Sequence, residues 1–126
     1  MSSKAPAQSI IEILKSRGET VSVAESLTGG GLGHALTQVP GASEVFIGGI
    51  IAYTSQVKVN FLGVKQSTID QYTVVSEEVA VEMAQGAMEK LGTTWAIATT
   101  GIAGPGDYMG IREGTVWIAI CGPIRQ

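Results

Sequence analysis

Helical segments alternate with short apolar segments along this chain. Residues 6–17 place apolar side chains at helical spacing, residues 20–24 alternate and are β-branched, and residues 76–91 return to helical spacing. The same reading predicts strands at 45–53, 95–100 and 115–120, a short helix between Thr54 and Gly63, and another from Ser67 to Tyr72. Such alternation favours an α/β fold, and we predict a three-layer α/β/α domain with a mostly parallel, mixed sheet covered on both faces.

Polar caps and glycines set the predicted ends of these helices. Thr54 or Ser55, Ser67 and Ser76 can each cap the start of a helix, because a side-chain oxygen accepts from an otherwise free N–H. Gly18, Gly63 and Gly92 are predicted to end helices. The stretch 45–53 is continuously apolar and is predicted to be a buried strand, in which Gly48 and Gly49 indicate a bulge or a close approach of another backbone.

Length and charge limit the class of protein. A chain of 126 residues is predicted to form one domain, with residues 1–6 as a tail. Charged residues make up 15%, whereas a soluble domain carries about 25%. The net charge of −3 comes without a basic stripe, so we expect no nucleic-acid partner. No apolar run reaches the roughly 18 residues of a membrane span, so we expect no membrane partner.

The cysteine and histidine counts add two expectations. A single cysteine, Cys121, excludes an internal disulfide and fits a reducing compartment. The N-terminus lacks the apolar core of a signal peptide, so the expected location is cytoplasmic. With only His34 and Cys121 as soft ligands, we expect no metal site and no cofactor. His34 is predicted on the surface of a helix, and Cys121 is predicted to be buried and inert.

The first candidate site is Ser26, between the end of a strand and a glycine-rich helix start. In open α/β sheets, ligands bind outside the carboxyl ends of the strands. A serine there can act as a nucleophile, and the backbone N–H groups of Thr28, Gly29 and Gly30 can hold an oxyanion or a phosphate. The alternative is that Ser26 only caps the helix. The segment matches neither a dinucleotide-binding fingerprint nor a P-loop.

Two further segments follow strand ends. Tyr53 and Lys58 span a strand-to-helix turn, and a lysine kept neutral by burial can serve as the base for a serine. Their alternative is a core tyrosine and a solvated helix lysine. Thr100 and Gly101 open a glycine-rich loop that could close over a ligand with Arg112, or could be a mobile connection.

The motifs in sequence order resemble the CinA C-terminal domain, the PncC nicotinamide-nucleotide amidase family. The resemblance spans about Ile10 to Ile120 and consists of short motifs in one order: Ala24-Glu25-Ser26-Leu27-Thr28-Gly29-Gly30, Val39-Pro40-Gly41-Ala42-Ser43, Gly48-Gly49-Ile50-Ile51-Ala52-Tyr53, Lys58 with Leu62-Gly63-Val64, Val75-Ser76-Glu77-Glu78-Val79-Ala80, Thr100-Gly101-Ile102-Ala103-Gly104-Pro105, and Gly114-Thr115-Val116.

This resemblance implies an amidase that converts nicotinamide mononucleotide into nicotinic acid mononucleotide and ammonia, as part of NAD salvage. It implies Ser26 as the nucleophile, Lys58 as the base and Tyr53 as an aid to proton transfer. It also implies that Thr100 lies in the site. Ser26, Lys58 and Tyr53 are therefore the predicted catalytic residues, and the predicted substrate-binding residues are Thr28, Gly29, Gly30, Thr100, Gly101 and Arg112.

The chain also departs from the family pattern. Leu27 replaces a cysteine, and Thr54-Ser55-Gln56 replaces Ser-Asn-Glu. Arg112 stands where the family has a lysine, and the usual C-terminal strand and helix, with a functional arginine, are absent. The alternative is therefore a domain that binds a pyridine nucleotide without turnover, or a regulatory module of a competence- or damage-inducible protein. Because the absent elements would shield apolar strands, we expect a homo-oligomer.

Overall fold

The computed structural model describes residues 4–123 and shows five α-helices around a four-stranded sheet. The elements are α1 (Pro6–Arg17), β1 (Val21–Glu25), α2 (Gly31–Thr37), a 3-10 helix (Ala42–Glu44), β2 (Phe46–Ile51), α3 (Ser55–Leu62), α4 (Gln66–Tyr72), α5 (Glu77–Leu91), β3 (Trp95–Gly101) and β4 (Val116–Cys121). The predicted tail at 1–6 lies partly outside the described residues, and Pro6 already belongs to α1. Among residues 4–123, no helix is long and apolar enough to cross a membrane.

The sheet is mixed, with strand order β2-β1-β3-β4. β1 pairs in parallel with β2 and β3, whereas β4 pairs antiparallel with β3. The predicted α/β class with a mostly parallel sheet is therefore confirmed. The prediction of a buried strand at 45–53 was wrong in one respect: β2 lies at an edge of the sheet, so its residues alternate between half-buried and exposed.

Local chemistry explains where most helices begin and end. Gly18, Gly63 and Gly92 follow α1, α3 and α5 in the left-handed conformation that glycine adopts without a steric penalty. The Thr54 hydroxyl caps α3, and the Ser76 hydroxyl caps α5. The cap predicted at Ser67 was wrong, because α4 begins one residue earlier, at Gln66, without a side-chain cap.

Helices cover both faces of the central strands. α5 packs against one face through an alanine-rich core that includes Ala96 and Ala98 of β3. α1 and α2 pack on the other face around Val21, Val23 and Leu36. The close approach predicted at Gly48-Gly49 is present at Gly49, where an added Cβ would lie 2.3 Å from the Val23 side chain.

The helices leave part of β4 exposed. Ile118 and Ile120 are 64% and 65% exposed, and the register places Ile120 beside Ile97 on the face that α1 covers. With Ile13 of α1, also half exposed, these side chains form an apolar surface. The prediction that helices cover both faces was therefore wrong at this edge.

We propose this apolar surface as the interface of the expected homo-oligomer. Apolar surfaces of this kind are commonly buried by a second subunit. We expect light scattering at micromolar concentration to report a dimer or larger species. A monodisperse monomer would contradict this expectation.

Gly86 lies where α5 packs closely against the end of α3. A Cβ on Gly86 of α5 would lie 1.8 Å from the main-chain oxygen of Leu62, the last residue of α3. We expect Gly86→Ala to lower the free energy of unfolding by about 1–3 kcal/mol, because overpacking outweighs the gain in helix propensity of about 1 kcal/mol. Urea denaturation followed by circular dichroism measures this change.

Gly31 provides the matched control. It begins α2, and an added Cβ would meet nothing within 4 Å. Gly31→Ala should therefore leave the unfolding free energy unchanged or slightly raise it. If both substitutions changed the unfolding free energy equally, the contact between Gly86 and Leu62 would not be the cause of the loss of stability at position 86.

Candidate active site

Three strand ends meet at one cavity. β1 and β3 run parallel, and the segments that follow them and β2 open at the same edge of the sheet. The cavity there has a volume of about 450 Å³. It is lined by Ser26 after β1, by Tyr53 and Lys58 after β2, by Thr100 near the end of β3, and by the loop that follows β3. This is the position at which ligands bind in open α/β sheets.

Ser26 and Lys58 are hydrogen-bonded in the floor of this cavity. The Lys58 Nζ donates to Ser26 Oγ at 3.1 Å, and it also donates to the main-chain oxygens of Ala52 and Tyr53 at 2.7 and 3.2 Å. An ammonium has three protons, so all of them are directed at described acceptors. The lysine is only 2% exposed although it lies on α3. The structure therefore contradicts the alternative of a solvated lysine.

Burial changes the protonation of Lys58. Loss of hydration disfavours the charged ammonium and lowers the pKa of Lys58 to about 8. A substantial neutral fraction consequently exists at mildly alkaline pH. A neutral amine within hydrogen-bonding distance of a serine hydroxyl can accept its proton, as in known serine–lysine pairs.

The Ser26 segment is held by the carboxylate of its neighbour Glu25, which is 1% exposed. Glu25 Oε1 accepts from the N–H groups of Gly30 and Leu32, and Oε2 accepts from the N–H of Gly33. The Thr28 hydroxyl also donates to Glu25 Oε1. Glu25 thus takes the capping role at the start of α2, which the alternative reading of the sequence predicts for Ser26.

The charge on Glu25 is stabilised by these donors. Burial alone raises the pKa of Glu25, but the hydrogen bonds from the Thr28 hydroxyl and from the N–H groups of Gly33, Leu32 and Gly30 together bring it below its ordinary value. No role for Glu25 is predicted from the sequence. The available signal was an acidic side chain at a strand end, five to eight residues before the N–H groups of a glycine-rich helix start.

Three predicted substrate-binding residues lie outside the cavity. Thr28, Gly29 and Gly30 do not line it. The Gly29 N–H donates to the Ser26 main-chain oxygen and the Gly30 N–H donates to Glu25, so neither is available to an oxyanion or a phosphate. The Thr28 hydroxyl bridges Glu25 and Thr99 instead. The structure gives this segment a supporting position behind Ser26.

The structure places Tyr53, Thr100 and Gly101 in the cavity wall. Tyr53 is 75% exposed, and its contact with Lys58 is through its main-chain oxygen. The Thr100 hydroxyl donates to the main-chain oxygen of Val74, and Thr100 is only 1% exposed. A Cβ on Gly101 would lie 2.6 Å from the main-chain oxygen of Thr115, so the cavity wall needs a glycine there.

Arg112 is exposed and does not line the cavity. It lies in the loop after β3, where its main-chain oxygen accepts from the Thr115 hydroxyl. The loop is internally bonded: the Gly106 N–H donates to Glu113, and the Glu113 N–H donates to Asp107. These bonds join the two sides of the loop to each other.

The two soft ligands lie apart from this cavity. His34 is exposed on α2, as predicted, and Cys121 on β4 is half-buried, which raises the pKa of its thiol. Within residues 4–123, no group of three or more histidine, cysteine, aspartate or glutamate side chains is placed to hold a metal ion.

Replacing Glu25 is expected to destabilise the chain and impair the site together. Glu25→Gln puts an amide NH₂ where N–H donors now point, and it leaves at least one buried donor without a partner. We expect a loss of about 2–4 kcal/mol of unfolding free energy, measured by urea denaturation. Any activity should fall as well, because Ser26 loses the support behind it.

Glu89→Gln is the matched control, because Glu89 is exposed on α5. Its stability should change by less than about 0.5 kcal/mol. A Glu25→Gln variant as stable as the Glu89→Gln variant would show that the four hydrogen bonds to Glu25 do not hold this segment.

Comparison with protein families gives a match over most of the chain. Residues 3–126 match the model of the CinA C-terminal domain. A CinA-like protein of Gloeothece citriformis (strain PCC 7424) is 55% identical over 114 residues, which are 90% of this chain and 27% of that protein. A CinA-like protein of Synechocystis sp. is 54% identical over 117 residues, which are 28% of its length. The chain thus spans little more than a quarter of these curated relatives.

Solved structures give the same result. A competence/damage inducible protein, CihA, from Agrobacterium tumefaciens superposes with a TM-score of 0.89 at 37% identity, over 97% of this chain and 78% of that one. A competence-damaged protein (CinA) superfamily protein from Escherichia coli gives a TM-score of 0.89 at 36% identity, over 92% of this chain and 68% of that one. At these identities the similarity covers the sequence as well as the fold.

Proposed function

Because the chain belongs to the CinA C-terminal domain family, we propose that it hydrolyses the carboxamide of nicotinamide mononucleotide to nicotinic acid mononucleotide and ammonia. One observation carries the proposal: a buried lysine whose pKa is lowered to about 8 donates a 3.1 Å hydrogen bond to a serine in the wall of a cavity. This pairing fits acyl transfer, since a serine nucleophile requires a base within hydrogen-bonding reach.

In the first step, Ser26 Oγ attacks the amide carbon and its proton passes to neutral Lys58 Nζ. The C–N bond then breaks, and the lysine proton goes to the leaving nitrogen, which departs as ammonia. An ester of Ser26 remains. The exposed hydroxyl of Tyr53 stands at the same cavity and can relay protons between Lys58 and solvent.

In the second step, water attacks the ester carbonyl and gives a proton to Lys58. The acid product leaves, and Ser26 Oγ recovers its proton from the lysine. The two main-chain oxygens of Ala52 and Tyr53 stabilise the ammonium form of Lys58 that exists between proton transfers. They also fix the direction of the amine toward Ser26.

An oxyanion needs N–H donors that are not already engaged. The N–H groups of Gly29 and Gly30 are engaged within the chain. Ala103 and Gly104, in the loop after β3, also line the cavity, and their N–H groups are the candidates for this role. We therefore assign the oxyanion donors of this mechanism to that loop.

The test is ammonia release from nicotinamide mononucleotide, with the acid product identified by chromatography. Added hydroxylamine should divert part of the product to the hydroxamate, because it competes with water for the acyl-enzyme. A thermal-shift titration with the same nucleotide runs beside it. If the nucleotide binds but no ammonia is released, the chain is a binding domain without turnover and the proposal is wrong. If the nucleotide does not bind and no ammonia is released, the remaining alternative is a regulatory module.

A further inference from the structure

A pair of threonine hydroxyls joins the segment that carries Ser26 to the neighbouring strand β3. Thr99 of β3 is the register partner of Glu25, the last residue of β1, and it is 4% exposed. The hydroxyl oxygens of Thr99 and Thr28 lie 2.8 Å apart, and the Thr28 hydroxyl also bonds to Glu25 Oε1. Both threonines lie behind the described wall of the cavity, so the proposed mechanism gives neither hydroxyl a role.

The direction of these hydrogen bonds follows from the charge on Glu25. This carboxylate accepts four hydrogen bonds, which stabilise its ionised form, and an ionised carboxylate can only accept. The Thr28 proton is therefore directed at Glu25, and the proton between the two threonines comes from Thr99. Each hydroxyl in such a chain polarises the next one, which strengthens both bonds.

Thr99 thus holds the serine segment at two points. Its main-chain oxygen accepts from the Ser26 N–H at 3.1 Å, and its hydroxyl donates to Thr28, two residues further along the turn. Between these two points, Ser26 Oγ accepts the 3.1 Å hydrogen bond from Lys58. Fixing the turn on both sides of the Oγ limits how far this atom can move from the amine. A displacement of about 1 Å at a reacting atom can lower a rate by about 100-fold.

We propose that Thr99 is a positioning residue of the reaction, because its bond to Thr28 keeps Ser26 Oγ within reach of the base. This inference rests on the proposed amide hydrolysis and adds a side chain that does not touch the substrate. The main-chain pairing of β1 with β3 does not depend on the Thr99 hydroxyl, so the fold persists without it. The loss falls on kcat, because the displaced atom acts in bond making, and the wall that binds the substrate is unchanged.

Thr99→Val keeps the shape of the side chain and removes its hydroxyl. We expect kcat for ammonia release from nicotinamide mononucleotide to fall about tenfold, with KM within about twofold of its original value. Thr99→Ser keeps the hydroxyl and loses a methyl group, so it should retain at least about half of the original kcat although it leaves a small void. Equal losses of kcat in the two variants, or an unchanged kcat in Thr99→Val, would overturn the proposal.

Thr93→Val is the matched control, near the other end of the same two strands. The Thr93 hydroxyl donates to the main-chain oxygen of Trp95 at 2.8 Å, so the Ser22 hydroxyl is the donor in the 2.8 Å contact with Thr93. The substitution leaves the buried Ser22 hydroxyl without its acceptor, and we expect unfolding at a lower urea concentration than for Thr99→Val. Its kcat should still equal the original value. A loss of kcat as large as that of Thr99→Val would show that lowered stability slows the reaction, and would contradict the proposal.

Labelling of Ser26 with a fluorophosphonate separates this inference from the proposed activity. The serine Oγ bonds to phosphorus, fluoride leaves and the hydroxyl proton passes to the base, so no amide is needed. If no ammonia is released, the proposed function fails and the labelling rate, followed by mass spectrometry, decides the inference. Labelling should then be about tenfold slower in Thr99→Val than in Thr99→Ser or the original chain. Equal rates, or an original chain in which Ser26 is not labelled, would overturn the inference.

Discussion

Ser26→Ala should abolish ammonia release while the protein still folds and binds the nucleotide. The substitution removes the Oγ atom that attacks the amide carbon, and losses of about 10⁴-fold or more in kcat are typical when a serine nucleophile is removed. Ser26 is 7% exposed, and its Oγ takes one of the three bonds of Lys58, so a small change in melting temperature is expected. A steady-state ammonia assay and a thermal-shift titration with nicotinamide mononucleotide measure both effects.

Ser67→Ala is the control for this substitution. Ser67 is exposed on α4 and lines no part of the cavity. Its kcat should equal that of the original chain. Ser26→Ala with more than a tenth of the original kcat would exclude Ser26 as the nucleophile, even if Lys58 proved essential.

Lys58→Met should produce a similar loss of kcat, about 10³-fold or more, because the serine loses its base. Its effect on stability should have the opposite sign to that of most core mutations. Methionine fills a comparable volume without burying a charge, and we expect this gain to offset the cost of leaving the main-chain oxygens of Ala52 and Tyr53 without the Lys58 donor. We therefore expect an unchanged or higher melting temperature in an inactive protein.

The pH profile tests the same lysine without a mutation. Because burial lowers the pKa of Lys58 to about 8, kcat/KM should rise about tenfold per pH unit below pH 8 and level off above it. The folded chain binds fewer protons at Lys58 than the unfolded chain between pH 8 and 10.5. Stability should therefore rise with pH in that window through this group, and Lys58→Met should remove the rise.

Lys90→Met is the matched control, because Lys90 is exposed in the last turn of α5. It should keep both the activity and the pH profile. A Ser26→Ala, Lys58→Met double variant should be no slower than either single variant, since the two side chains act in one step. Multiplied losses would indicate that they act independently, contrary to the proposed mechanism.

Most of the fold could be predicted from local sequence signals. Ser76 and Gly92 marked the ends of α5 because caps and left-handed glycines act through nearby backbone groups. The edge position of β2 and the exposed side of β4 could not be predicted from such signals. They depend on strand order, and an apolar run such as Phe46–Ile51 reads the same in a central and in an edge strand.

Part of the candidate site could be predicted from the sequence, and part could not. Ser26, Tyr53 and Lys58 were found because each follows a strand end, and the chain topology brings such ends together. Glu25 was missed because its four donors lie on a loop and a helix start whose path cannot be read from the sequence. The prediction that the Gly30 N–H binds a ligand failed for the same reason, because this N–H donates to Glu25.

Gly86 connects the packing of α5 to the position of Lys58, although it lies away from the cavity. α5 touches α3 at the main-chain oxygen of Leu62, one turn beyond Lys58, and no residue of α5 lines the cavity. A side chain at 86 would push back the helix that carries the base. Because the obstacle is a main-chain atom, no substitution at 62 can make room for it. A substitution of Gly86 on α5 is therefore expected to displace the Lys58 amine, which is carried by α3.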